Sequence, residues 1–464
     1  WDETDENNEV TGEVLWALSL AYPEVWVCPG ADCGHPGFQY SSIQAAVNAV
    51  VEGGIVNVAA GTYDEENIVI SKGLSLIGAG RDVTHIAPSA VTNNNTISVN
   101  NPTGNVLIQG FDFVMQPKSN YGSAVGVFGT AIAVDSATVT IDSNKVTGSD
   151  DGAKSDYGFY GQGNNAKLVI TNNVISKTGD NPVVMENQMG STTFANNTVY
   201  ITSSPDHNPY FSMVYAGNTV STPQIVRGNT FNLDHSGAGY SEAVTFDTAV
   251  LNSWNGISTD SGHYTNILVE NNTIVTGGAY ARGVALVDLS AAKGLGTITG
   301  AVIQNNQMIG ESVEDASTYG ITLRGDVTGS QIKNNKISNV NIGVWVRPGV
   351  GTDAVCPSEN EISKNKFNPV KVSAQNDCTT GSVDVSENWW GSASGPAVNS
   401  FVGSAVYIPW CADEGCTLLG YPPVHNVTQD TYFYAIQAAI DAAAAGDTIK
   451  VAPGTYNEAL ILNK

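Results

Sequence analysis

The chain has 464 residues, enough for one to three domains with a large buried core. It carries 44 acidic against 19 basic side chains, a net charge of −25. Only 14% of residues are charged, which excludes a disordered polyelectrolyte and describes a folded chain rich in Gly, Asn, Ser and Thr. The sparse acidic surface disfavours nucleic acid and anionic lipid as partners, and no run of 18 apolar residues is present to insert into a membrane.

Residues 1–39 read as an acidic segment and lead-in. The run DETDENNE offers carboxylates for a structural calcium ion, but it lacks the Asp-x-Asp-x-Asp-Gly order of a known calcium loop. A solvated segment is therefore expected, and no cofactor is assigned. The most apolar stretch, Val14 to Val27, is interrupted by Pro23 and Glu24. The first residue, Trp1, suggests a processed or trimmed terminus with any signal peptide removed. Cys28 and Cys33 open a set of three near pairs, completed by Cys356 with Cys378 and Cys411 with Cys416. An even count with local spacing suits disulfides in an oxidising compartment. Zinc, the competing reading, usually takes CxxC and His, whereas both tight pairs are CxxxxC.

From residue 40 the pattern changes. Ile43, Ala46, Val47 and Val50 fall at i, i+3, i+4 and i+7, the stripe of a short helix that Ser41 or Ser42 is placed to cap. The strands IVNVA and NIVIS follow. LIQGFDF, around Phe111, then begins a repeat that runs on as TIDSNKV, VITNNVI, TFANNTV, IVRGNTF, LVENNTI, VIQNNQM, QIKNNKI, EISKNKF and VDVSENWW. Its anchors are Asn144, Asn173, Asn197, Asn229, Asn272, Asn306, Asn335, Asn365 and Asn388, spaced by 29, 24, 32, 43, 34, 29, 30 and 23 residues. An apolar residue lies three positions before each anchor (Ile141 through Val385) and another two positions after it (Val146 through Trp390), in nine units of nine.

Such a unit reads as two short strands bent at an Asn that tolerates left-handed backbone angles. It cannot bury its apolar face alone; stacked units can, with equivalent Asn side chains hydrogen-bonding up the column. The repeat resembles the right-handed parallel β-helix of the pectin-lyase-like superfamily over residues about 40 to 410. The resemblance implies an all-β solenoid of about a dozen coils with a short N-terminal capping helix, on the order of 55–60 Å long at ~4.8 Å per coil. A β-propeller would need larger, four-stranded units.

Many members of that superfamily cleave acidic polysaccharides, with a calcium-binding carboxylate set and an Arg base or with clustered Asp residues. The nearest candidate here is Asp150 and Asp151, with Asp156 after them, for which a solvated acidic turn is the competing reading. Asp206-His207 faintly resembles the Asp-Pro-His of mannuronate epimerases in the wrong order. His235 and His263 lie in or near the longest inter-unit segment, without metal-ligand spacing. That segment also carries Tyr240, Phe246, Trp254 and Tyr264, read either as a protruding aromatic loop that could stack on sugar rings or as a packed excursion. Arg324-Gly325-Asp326 matches an adhesion tripeptide but overlaps a strand-like stretch and is discounted. Sequons stand at Asn94, Asn196, Asn271 and Asn426.

The rod is expected to close near residue 416, in a segment resembling the end of microbial cell-surface β-helix proteins, with Trp389, Trp390 and Trp410 plugging the last coil. Residues 417–431 read as a linker. Residues 432–464 then repeat the opening: Ile436, Ala439, Ile440 and Ala443 reproduce the helical stripe at an offset of 393, as Gly454-Thr455-Tyr456 does Gly61-Thr62-Tyr63. This predicts the first coil of a second β-helix, or a docking segment for another copy. The functional expectation is a non-catalytic extracellular or cell-surface rod that assembles head-to-tail into a filament, sheath or layer. The alternative is a polysaccharide lyase, hydrolase or carbohydrate-binding protein acting on acidic polysaccharide.

Overall fold

The computed structural model describes residues 22–463 apart from 31, 36, 90–93, 117–121, 149–155, 179–180, 204–210, 218–219, 236–240, 249–261, 279–280, 289–293, 315–317, 351–353 and 398–399. One repeat shows how the sequence makes a coil. Val302–Gln304 forms a strand, Asn305 turns the chain at φ +55°, and Gln307–Gly310 leaves as a second strand. A connection then leads to a third strand, Tyr319–Arg324, before Gln331–Lys333 begins the next coil. Alternation puts Ile303, Met308, Ile321 and Leu323 inward, where all four are buried.

Repetition builds three long sheets of 13, 11 and 12 strands among the described residues, with parallel neighbours throughout. The chain is a parallel β-helix. Each coil has three faces, so the two-strand unit read from the sequence is only part of it.

The anchor asparagines have a different role from the one expected. The left-handed residue is the one before each anchor: Ser143, Asn172, Asn196, Gly228, Asn271, Asn305, Asn334, Lys364 and Glu387. The anchors themselves point inward, buried to 1% exposure or less. The backbone N–H and Nδ2 of Asn306 both donate to Oδ1 of Asn335, at 3.0 and 2.9 Å, and Nδ2 also donates to the Val269 carbonyl at 2.9 Å. The same trio recurs from Asn144 to Asn388, and the Phe111 N–H caps the column by donating to Asn144 Oδ1. Each amide side chain satisfies two backbone groups in a dry interior, one N–H and one carbonyl, and bonds the next amide in the column.

The stack begins before residue 40, because Tyr22–Val27 already pairs with Val50–Val58 in the first sheet. The helix Ile43–Ala49 lies over that end; Ser42 Oγ accepts from the Ala45 N–H, and Glu65 accepts from the N–H groups of Ile43 and Gln44. At the far end Trp390 stacks on Phe367 at 5.0 Å and Trp410 is buried, while Trp389 is only half-buried. Three disulfides join Cys28 to Cys33, Cys356 to Cys378 and Cys411 to Cys416.

The closing unit repeats the opening in detail. Glu458 accepts from the N–H groups of Ile436 and Gln437 as Glu65 does at the first helix, and Tyr456 donates to the Ala452 carbonyl as Tyr63 does to Ala59. The difference is in the preceding strand. Val424–Asn426, inside the stretch read as a linker, is the centre of an antiparallel sheet with Thr431–Phe433 and Ile449–Val451. The counterpart Tyr22–Val27 pairs in parallel. The stretch read as a linker is therefore built into its neighbours: Leu419–Gly420 pairs with Trp410–Cys411 of the rod, and Val424–Asn426 belongs to the closing unit.

Candidate functional site

The third sheet carries the most concentrated chemistry on its outer face. Its parallel register stacks Glu242, Arg282 and Tyr319 in one file, Thr245, Ala285, Thr322 and Trp345 in the next, and Asp247, Val287, Arg324 and Arg347 in the third. Three of the chain's five arginines thus lie on three successive coils.

Their surroundings differ. Arg282 is neutralised: its Nη1 donates to Glu242 Oε1 at 2.6 Å, and Thr245 Oγ1 holds the other carboxylate oxygen, also at 2.6 Å. Its guanidinium also lies 5.0 Å from the Tyr319 ring centroid. Arg347 lies over Trp345 at 3.8 Å, and Trp345 Nε1 donates to Asp377 Oδ2 at 2.7 Å. Arg324 donates from Nε to the Pro348 carbonyl at 3.3 Å. Both Arg324 and Arg347 are half-buried, and neither reaches a carboxylate within salt-bridge distance among the described residues. Burial first, and then the positive charge of Arg347, hold the Arg324 guanidinium below its usual pKa; burial first and then Arg282 do the same to Arg347. Two adjacent, partly desolvated cations, Arg347 stacked on the half-buried Trp345, form a seat for an anionic group, while Tyr319 is buried beneath against Arg282 and Trp345.

The residues singled out from the sequence lie elsewhere. Asp150, Asp151, Asp206, His207, Tyr240 and Trp254, with the acidic run of residues 2–9, fall outside the described residues. Asp156 and His235 lie in strands of the third and second sheets. His263 Nδ1 is 2.9 Å from Thr297 Oγ1. Phe246 and Tyr264 are not on a protruding loop: both face the core, where Phe246 stacks on Tyr215 at 4.5 Å. The segment between Asn229 and Asn272 contains the third-sheet strand Ser241–Asp247 and the short strand His263–Tyr264, which is why these aromatics turn inward. Asp326 of the Arg-Gly-Asp tripeptide is buried as well. Of the sequons, Asn94, Asn196 and Asn271 are exposed. Asn426 is buried and donates from Nδ2 to Asp447 while its Oδ1 accepts from Thr428, so it offers no acceptor nitrogen to a glycan. Among the described residues no group of three or more His, Cys, Asp and Glu is arranged to hold a metal ion, and no helix is long and apolar enough to cross a membrane.

The arginine face was hidden from sequence reasoning. Arg282, Arg324 and Arg347 stand 10, 18 and 12 residues after their preceding anchors, so no fixed spacing marks them as neighbours.

No family model matches the chain, and no curated protein matches it. Solved structures with a similar path include the A-module of the Azotobacter vinelandii mannuronan C-5 epimerase AlgE6 (16% identity, 80% of this chain and 94% of that one, TM-score 0.37). Another is a mannuronic acid specific polysaccharide family 6 lyase from human gut microbiota (12% identity, 83% and 91%, TM-score 0.42). A third is the AlgE4 A-module (15% identity, 74% and 95%, TM-score 0.26). At these scores the likeness carries nothing about chemistry, and the fold rests on the three sheets themselves.

Proposed function

We propose that this chain is an exported β-helical rod that binds an acidic polysaccharide along the outer face of its third sheet, at Arg324 and Arg347. The observation that carries the reading is the pair of half-buried guanidiniums without a carboxylate partner among the described residues, set beside Trp345 in a chain of net charge −25. A uronate carboxylate supplies the missing charge in bidentate geometry, and the apolar face of its ring suits the aromatic surface. The three disulfides support an oxidising, extracellular setting.

The test is calorimetric titration with polygalacturonate, alginate and neutral dextran. Binding is expected for the polyanions and not for dextran, and each of Arg324→Ala and Arg347→Ala should weaken it about 10- to 100-fold, the worth of one charge-assisted contact. Absence of polyanion binding, or binding indifferent to both substitutions, would overturn the reading. Release of unsaturated uronate ends during the titration would extend it to eliminative cleavage at this face.

A second reading, head-to-tail assembly of rods, is favoured by one observation. The closing unit reproduces the opening cap, with Glu458 and Tyr456 in the places of Glu65 and Tyr63. Electron microscopy that finds only dispersed rods would count against it.

A further inference from the structure

The three outer faces of the rod differ in charge. On the second sheet one outward file includes His85, Asp112, Lys145, Lys336 and Lys366. The third sheet carries the arginine face. On the first sheet the central outward file runs through Ile55, Leu107, Val169, Ile225, Leu268 and Val302, with Ser75, Thr140 and Thr193 between them. Nine successive coils place no charge there, in a chain that averages one charged residue in seven. Every one of these side chains is half-buried by its file neighbours, and among the described residues no other element packs over the file between Leu107 and Val302. A continuous uncharged strip on a flat parallel sheet is the surface that sheet-on-sheet packing requires.

We infer that this face is a lateral interface between two copies of the chain, packed antiparallel about a two-fold axis that passes between the coils of Ile225 and Leu268. Charge complementarity fixes that position. The neighbouring outward file contains Asp142, Arg227, Glu270 and Lys333, with Arg227 and Glu270 one coil apart. With the axis between them, each copy's Arg227 faces Glu270 of the other, Ile225 faces Leu268, Thr193 faces Val302, and Lys333 faces Thr171. No like charges meet. Eight coils overlap, with Thr140 facing Glu361 at the outer edge and Ile55, Ser75 and Leu107 beyond the contact, and three outward files at ~6.7 Å across by ~4.8 Å per coil cover roughly 700 Å² on each copy. That gives roughly 1,400 Å² in all, within the range of stable dimers. Isologous packing of this kind closes on itself, and it leaves the arginine faces of both rods outward.

The experiment is sedimentation velocity of the full chain over a concentration series. A dimer is expected. Ile225→Lys with Leu268→Lys, both outward-facing, should give monomers whose melting temperature stays close to that of the parent. Arg227→Glu should raise the dimer dissociation constant at least ~10-fold, and Arg227→Glu with Glu270→Arg should bring it back to within ~3-fold of the parent. A chain that is monomeric throughout, a dimer that survives the double lysine variant, or a charge swap that fails to restore association would each overturn the proposal. So would a dimer lost only on Leu462→Asp, which would locate association at the closing unit instead.

Discussion

Asn306 shows what a single residue contributes. Its Oδ1 accepts from both the N–H and Nδ2 of Asn272, and its own two donors go to Asn335. Asn306→Ala therefore strands donors in a dry column rather than removing one isolated bond. At ~1–3 kcal/mol per buried orphan, a loss of about 3 kcal/mol is expected in urea denaturation. Asn306→Asp keeps the acceptor but loses two donors and buries a charge, so it should cost more than the alanine. Equal and small losses for both would mean that the ladder does not bear on stability. The anchors were legible in the sequence because burial on both sides leaves a strict apolar register around them. Their role was not, because an Asn in a turn satisfies both a left-handed backbone and an inward ladder. Only the φ of the residue before it separates the two.

At the scale of elements, first- and second-sheet strands were readable along the whole repeat, and third-sheet strands only in places, as in NIVIS and the strand-like stretch at Arg324. The first two flank the turn, so their spacing is constant; the third follows a connection of variable length, which costs little entropy to lengthen. This is why the sequence leaves Phe246 and Tyr264 between a protruding loop and a packed excursion, and why the arginines went unseen. The Cys356–Cys378 disulfide acts on such a connection: it ties the stretch after Val340–Arg347 to the end of Val370–Asn376. Closing a loop with a sequence separation of 22 is worth about 3 kcal/mol in chain entropy. Replacing both cysteines by serine should lower the melting temperature and raise amide exchange in the last coils while leaving residues 22–140 protected, as expected of a solenoid whose coils contact only their neighbours. Uniform loss of protection along the rod would contradict this.

For the whole molecule, the net charge of −25 opposes the approach of any polyanion, whereas the arginine face attracts one only at short range. Added salt screens the long-range repulsion as well as the local pairing. Association with polygalacturonate should therefore depend only weakly on ionic strength, with an association rate that does not fall steeply as salt rises. A steep loss of affinity with salt, measured by stopped flow or calorimetry, would indicate a larger cationic surface than the two guanidiniums provide. The amino-acid sequence by itself determined the solenoid, its period, its inward apolar positions and the repetition of its opening at its end, because these follow from residue type at fixed short spacing. Tertiary structure alone decided which outward residues became neighbours. Arg282, Arg324 and Arg347 on one face, and Ile225 beside Leu268 on another, are far apart along the chain. They meet only because parallel register between coils holds while the connections vary in length.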